Sequence, residues 1–182
     1  MRNLLKYALL LAVAATLGTM GAVFVAAPAS AFALPTTTIR ASTLRACDGS
    51  ACTADTPDVA SGRNVTSFCT LGASDLVYTG SVDRRGGFIP RANLADRTQF
   101  TVCNSNPEFG VVTVTASTLR SCASSTCRSF GAIPQNVGAA AFCNRSTFVL
   151  IYVPPIAGSS AGNKGGFYPR SALAGNLPFA SC

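Results

Sequence analysis

The 182-residue sequence has no histidine and no tryptophan, only two methionines, and only seven acidic side chains. Without histidine, the commonest general base and the commonest metal ligand are missing. Ser-His-Asp and Cys-His catalysis are therefore excluded. The acids are Asp48, Asp55, Asp58, Asp75, Asp83, Asp96 and Glu108. A carboxylate-pair mechanism has little to draw on here. A free thiol nucleophile is disfavoured by the even count of eight cysteines. The sequence thus reads as that of a non-enzyme. The net charge is +7 and is carried mostly by arginine. That suits an anionic surface outside the cell, and it is too modest to indicate nucleic acid.

The first thirty residues form one element. Arg2 and Lys6 make a short basic start, and an apolar run follows from Tyr7 to Ala27. Ala29 and Ala31 then form an Ala-x-Ala site, with Ala31-Phe32-Ala33 as a second candidate. The expectation is a secretory signal peptide over residues 1–31, cleaved after Ala31 or Ala33. The rival is an uncleaved anchor, since the run is just long enough to span a bilayer. Removing Arg2 and Lys6 leaves a charge of about +5 on the mature chain.

The mature chain is one small unit written twice. Ser42-Thr43-Leu44-Arg45-Ala46-Cys47 recurs as Ser117-Thr118-Leu119-Arg120-Ser121-Cys122. Cys52 and Cys127 follow after equal gaps, and Phe68-Cys69 recurs as Phe142-Cys143. Gly86-Gly87-Phe88-Ile89-Pro90-Arg91 returns as Gly165-Gly166-Phe167-Tyr168-Pro169-Arg170, and Cys103 as Cys182. The predicted layout is a first module over 34–103, a linker over 104–110 and a second module over 111–182. None of the acids has a counterpart at the same place in the second copy.

Short β-branched and aromatic runs predict five or six strands per copy, with no convincing amphipathic helix. They include Thr36–Arg40, Val65–Cys69, Leu76–Thr79 and Phe100–Cys103, then Val111–Thr115, Ala139–Cys143 and Phe148–Tyr152. Asp83–Gly87 reads as a charged hairpin turn. Gly62 reads as a turn residue, and Asn136 replaces it because asparagine tolerates φ > 0. The fold class is all-β, two small barrels or sandwiches in tandem.

Modules of about 70 residues bury too little surface to be comfortably stable unaided. Four cysteines per copy supply the staples. Eight cysteines allow 105 pairings. If each copy is self-contained, three remain per copy. The four-residue turns Asp48–Ala51 and Ala123–Thr126 bring their flanking cysteines to disulfide distance. The preferred set is Cys47–Cys52, Cys69–Cys103, Cys122–Cys127 and Cys143–Cys182. Zinc is the alternative, disfavoured without histidine and in an oxidising compartment. No metal or cofactor is expected.

The order of these motifs resembles the bacterial Src-homology-3 domain. Leu44-Arg45 and Leu119-Arg120 match its Val-Arg. Gly131-Ala132-Ile133-Pro134 matches its mid-domain turn. Gly87-Phe88-Ile89 through Leu94, and Gly166-Phe167-Tyr168 through Leu173, match its closing Gly-Trp-Val segment. Phe88 and Phe167 stand where the family has tryptophan, and Ser42 and Ser117 where it has leucine. The cysteine framework is extra, as in divergent secreted actinobacterial versions. The resemblance implies tandem five-to-six-stranded barrels that bind cell-wall peptidoglycan or its peptide stems through aromatic-lined grooves. The implied groove residues are Tyr78, Phe88 and Arg91, then Tyr152, Tyr168 and Arg170. The expected protein is a secreted monomer, extracellular or cell-wall associated, without nucleic-acid or membrane partners after cleavage. The alternative is a secreted interaction or inhibitor protein with a protein partner, presenting the Gly158–Lys164 loop.

Overall fold

The computed structural model describes residues 33–96, 101–103, 110–174 and 180–182. The predicted signal peptide and positions 104–109 of the predicted linker lie outside the described residues. So does Phe100, the start of one predicted strand. The described chain is all-β and forms two sheets.

The first sheet holds β1 (Leu34–Thr37), β2 (Ser42–Arg45), β3 (Ala54–Val59), β4 (Asn64–Leu71), β5 (Ser74–Tyr78) and β6 (Gly86–Pro90). The second holds β7 (Gly110–Thr113), β8 (Ser117–Arg120), β9 (Ser129–Ile133), β10 (Gly138–Arg145), β11 (Phe148–Val153), β12 (Lys164–Pro169) and β13 (Leu173–Ala174). The strand orders are β1-β4-β5-β6-β2-β3 and β13-β7-β10-β11-β12-β8-β9. Apart from β13 they are the same arrangement, and every strand pair within them is antiparallel.

Turn chemistry follows the residue types. Gly62 has φ 78° and Asn136 φ 61°, so both copies use the left-handed region at this turn. The expected charged hairpin differs in detail. Gly80–Asp83 make one helical turn, and Arg84 takes the left-handed conformation after it. Strands β2, β8, β9 and β13 are not among the expected strands, whereas β3 is the strand expected before the Gly62 turn. The β2–β3 connection carries the Cys47–Cys52 clip. At the end of the first repeat, residues 101–103 add a short parallel partner to β4 through the Thr70–Val102 bridge.

All four disulfides have the expected pairing, with Cα separations of 5.6, 4.9, 5.6 and 5.0 Å along the chain. They imply an oxidising compartment. The repeated Leu-Arg motif has a structural use beside the clips. Arg45 Nη1 donates to the carbonyls of Ser50 and Cys52, at 3.0 and 3.2 Å. Arg120 Nη1 donates to the Cys127 carbonyl at 2.9 Å. Each arginine satisfies backbone acceptors of its own stapled turn.

Each sheet has two buried faces. One face of the first sheet gathers Leu44, Val59, Val65, Val77, Ile89 and Leu94. One face of the second gathers Leu119, Phe130, Ile133, Val149, Ile151 and Tyr168, among others. The opposite faces meet in a third cluster drawn from both repeats: Phe68, Leu76, Tyr78 and Phe88 with Phe142, Leu150, Tyr152 and Phe167. This explains why β5 is buried at all five positions. It also explains the unbroken apolar run of β11, which a sheet with one wet face would not carry. A bulge between Ser67 and Cys69 on β4 recurs between Ala141 and Cys143 on β10. It lets adjacent residues, Phe68-Cys69 and Phe142-Cys143, all join the shared cluster.

Candidate functional site

The expected groove residues fall into three environments. Tyr78, Phe88 and Tyr152 lie in the core shared by the repeats, and Tyr168 lies in the second repeat's own core. None of these four rings is more than 3% exposed. They are packing elements and do not line an open groove. For Tyr78, Phe88 and Tyr152 the physical reason is that the other copy covers the face that an isolated sheet would show to solvent; Tyr168 is packed in the cluster on the other face of the second sheet. Arg91 is half-buried and ion-paired to Asp75. Arg170 is exposed.

The shared core is built from contacts that occur twice with partners exchanged. Gly86 N–H donates to the Ser121 carbonyl at 2.7 Å, and Gly165 N–H donates to the Ala46 carbonyl at 2.8 Å. Tyr78 meets Phe167 edge-on at 6.1 Å between ring centroids, and Tyr152 meets Phe88 likewise at 6.3 Å. Phe68 and Phe142, equivalent residues, meet each other at 5.6 Å. This exchange is the signature of an approximate two-fold relation. Glycine is required at its centre. A Cβ at Gly86 would stand 2.6 Å from Leu150 Cδ1, and one at Gly165 2.5 Å from Leu76 Cδ1.

The two central tyrosines are not equivalent in their polar ends. Tyr152 donates to Asn163 Oδ1 at 2.9 Å. The Tyr78 hydroxyl is buried with no partner among the described residues. An unpaired buried hydroxyl costs its desolvation, whereas a paired one returns about 1 kcal/mol. Tyr78→Phe is therefore expected to leave stability unchanged or raise it. Tyr152→Phe is expected to lower it by about 1 kcal/mol. Urea midpoints of the two variants check this contrast. Burial pushes the Tyr152 phenol up to about 12 and raises that of Tyr168 as well.

Asp75 is the one fully buried carboxylate among the described residues. It accepts from Thr70 Oγ1 at 2.9 Å and from Arg91 Nε at 3.1 Å. Burial raises its carboxyl above the ordinary value, and the bonds from Thr70 and Arg91 only partly offset that. A raised folded value means that the folded state holds the proton more tightly than the unfolded chain. The associated stability is present below the unfolded value of about 3.9. It is lost as pH rises through the folded midpoint. Carbon-detected NMR titration should find the Asp75 midpoint above the ordinary aspartate value.

The hairpin end beside Asp75 differs between the copies, and charge decides how. In the first repeat, the carboxylate of Asp48 reaches over the β4–β5 turn. It accepts from Ser74 Oγ at 2.6 Å and from Ala73 N–H at 3.2 Å. Gly72 is needed beneath it, because a Cβ there would lie 2.1 Å from Asp48 Oδ2. In the second repeat the equivalent residues are Ala123, Ser146, Thr147 and Phe148, and Val149 replaces Asp75. The register confirms the equivalence. Arg91 N–H donates to the Ala73 carbonyl at 2.9 Å, and Arg170 N–H to the Thr147 carbonyl at 2.8 Å. Arg145 and Arg170 flank this turn, and neither side chain has a hydrogen-bond or ion-pair partner among the described residues. Phe148 is half-buried opposite Arg145 and rests on the shared core. Sequence reasoning singled out Arg170 but missed Arg145 and Phe148. The signal was the partition of charge. Residues 110–182 hold five basic side chains and no acid.

Two hollows lie elsewhere. A cavity of about 80 Å3 between the repeats is lined by Phe68, Tyr78 and Phe142 and by the Cys143–Cys182 disulfide. An open depression of about 350 Å3 lies over Pro35–Thr37 and Asn64–Thr66. Neither is lined by a carboxylate, amine or guanidinium. Among the described residues there is no group of three metal-ligating side chains. No helix of the described chain is long and apolar enough to cross a membrane.

No family model matches the chain, and no curated protein matches it. Among solved structures it is similar to NlpC2 from Trichomonas vaginalis, with TM-score 0.33 and 14% identity over 78% of this chain and 47% of that one. It is also similar to NlpC1 from Trichomonas vaginalis, with TM-score 0.31 and 13% identity over 76% of this chain and 44% of that one. The chain spans under half the length of either.

Proposed function

We propose that this chain is a secreted, non-catalytic binding protein that attaches to cell-wall material, each repeat being a divergent Src-homology-3-like barrel. The observation that carries the reading is the charge partition. The second repeat offers five cations and no carboxylate, outside a compartment where thiols stay reduced. The acids of the first repeat are largely spent on structure. Asp48 caps a turn, Asp55 pairs with Arg85, Asp58 accepts from Thr43, and Asp75 pairs with Arg91. That supports a scaffold and binder over a carboxylate-based enzyme. Cell-wall contact then runs through the charged exterior of the second repeat, since the expected aromatic rings are occupied in the core.

The test is co-sedimentation of the mature, oxidised protein with purified sacculi, against a reduced sample and a salt series. Binding that weakens with salt and disappears on reduction is the expected result. Absence of binding at tens of micromolar overturns the cell-wall reading and moves the weight to a protein partner.

A further inference from the structure

We propose that the first repeat holds an uncharged N-acetylated sugar, with its acetamido group in the cavity beside Tyr78 and its ring over Pro35 and Thr66. The inference rests on the cell-wall reading and deepens it by naming the glycan as the part of the wall that is recognised. The cations of the second repeat supply attraction, and this site supplies recognition.

The strand register places the site. Pro35 lies opposite Thr66, and Thr66 lies opposite Tyr78. Residues opposite one another share a face, so this row crosses β1, β4 and β5 on the face that carries the shared core. Thr37 and Asn64 form the next row on that face. The first row also joins the two hollows. Thr66 lines both the open depression of about 350 Å3 and the cavity of about 80 Å3. The row runs from exposed Pro35 to buried Tyr78. Beyond Tyr78, the cavity is lined by Phe68 and Phe142, whose rings meet at 5.6 Å.

Chemistry selects the occupant. Neither hollow is lined by a charged side chain, so a charged ligand group gains no ion pair there. The depression is lined by Thr37, Thr66 and Asn64, whose hydroxyls and amide both donate and accept. Pro35 adds apolar surface beside them. A sugar ring combines the same two characters, hydroxyls at its rim and C–H groups on its face. The cavity is larger than the ~30 Å3 share of one water, and an acetyl group brings only a few heavy atoms. Its carbonyl can accept from the Tyr78 hydroxyl, which has no partner among the described residues. Its methyl then lies against Phe68 and Phe142. A mostly apolar hollow with a few polar groups is the usual make-up of a small-ligand site.

The second repeat keeps the frame and drops this chemistry. Gly110, Ala140 and Tyr152 form its equivalent row, and Val112 with Gly138 forms the next. The proline, both threonines and the asparagine are all replaced. The Tyr152 hydroxyl is closed off by Asn163. The tyrosine ring packs the shared core in both copies, but only in the first is the hydroxyl left over. Phenylalanine would pack there without the desolvation cost. A hydroxyl retained at that cost has its use outside the fold.

The experiment is an amide-resolved NMR titration of the mature, oxidised chain with two neutral probes. One is triacetylchitotriose, an oligomer of N-acetylglucosamine. The other is cellotriose, which has a hydroxyl in place of each acetamido group. At millimolar concentration the acetylated probe should shift Thr37, Asn64, Thr66, Tyr78 and Phe142, and leave Val112, Gly138 and Ala140 unmoved. Cellotriose should bind about tenfold more weakly. Tyr78→Phe and Thr66→Val should each weaken the acetylated probe about fivefold, the loss of one hydrogen bond. Tyr152→Phe should change it less than about twofold, because that hydroxyl is already paired. Melting midpoints control for folding, and Tyr78→Phe is expected to fold at least as well as its parent. Equal binding of the two probes, no shifts at these amides, or equal weakening by Tyr78→Phe and Tyr152→Phe overturns the site. Shifts at the same amides from a wall stem peptide, and none from the sugar, overturn it as well. The two proposals fail separately. Shifts by the acetylated sugar without sacculus binding would sink the cell-wall reading alone. Sacculus binding unaffected by Tyr78→Phe combined with Thr66→Val would sink this site alone.

Discussion

Phe88→Ala is expected to destabilise the protein by about 3–5 kcal/mol, the usual cost of truncating a fully buried phenylalanine. The loss should be felt in both repeats. Phe88 belongs to the first repeat, but its ring meets Tyr152 of the second edge-on. It also lies against Gly165, where a Cβ would stand 2.9 Å from Phe88 Cε2. Hydrogen-exchange protection should therefore fall along β11 and β12 as well as along β5 and β6. Protection lost only in the first sheet would mean that the shared cluster contributes little. Ile89→Ala serves as the comparison, since Ile89 sits in the first repeat's own cluster. Its effect on β11 and β12 should be smaller.

Removing the Cys69–Cys103 disulfide with a double Cys→Ala change is expected to cost about 4 kcal/mol on the loop-closure estimate. The same change at Cys47–Cys52 should cost about 2 kcal/mol. The difference follows from sequence separations of 34 and 5 residues. Burial acts in the same direction. Cys69 and Cys103 both lie inside the shared cluster, while Cys52 is only half-buried. Cys143–Cys182, with a separation of 39, should behave like its counterpart. Urea midpoints read at constant m-value provide the measurement. Equal costs for the long and short loops would contradict this ordering. Both losses are a large share of the total stability of a chain of this size.

The repeat, the disulfide pairs and most of the strand positions were legible in the sequence, because each depends on local spacing. Two cysteines around a four-residue turn, or Asn136 standing in for Gly62, express a constraint within a few residues. The fate of the aromatic rings was not legible. Alternation along a strand says which residues share a face, but not whether water or another sheet covers it. Tyr78, Phe88 and Tyr152 therefore read as groove residues when they are interface residues. One clue lay in the doubled glycines. Gly87 and Gly166 lie against the backbone of Arg45 and Arg120, where a Cβ would stand 2.9 and 2.7 Å from the carbonyl oxygens. Gly86 and Gly165 instead lie against the opposite repeat. In each copy the second glycine of the pair thus lies against backbone of its own repeat and the first against the opposite repeat, and Gly87 touches both, since its Cβ would also stand 3.3 Å from Phe130 Cε2. The Asp48 cap was illegible for another reason. It joins residues 25 apart, and its meaning appears only when the second copy is seen to lack it.

The central claim is that the two copies share one core and form a single cooperative body. Differential scanning calorimetry of the mature, oxidised chain tests it most directly. The account predicts one transition with calorimetric and van't Hoff enthalpies in agreement. Two resolved transitions, or a calorimetric enthalpy near twice the van't Hoff value, would show two independent units and contradict it.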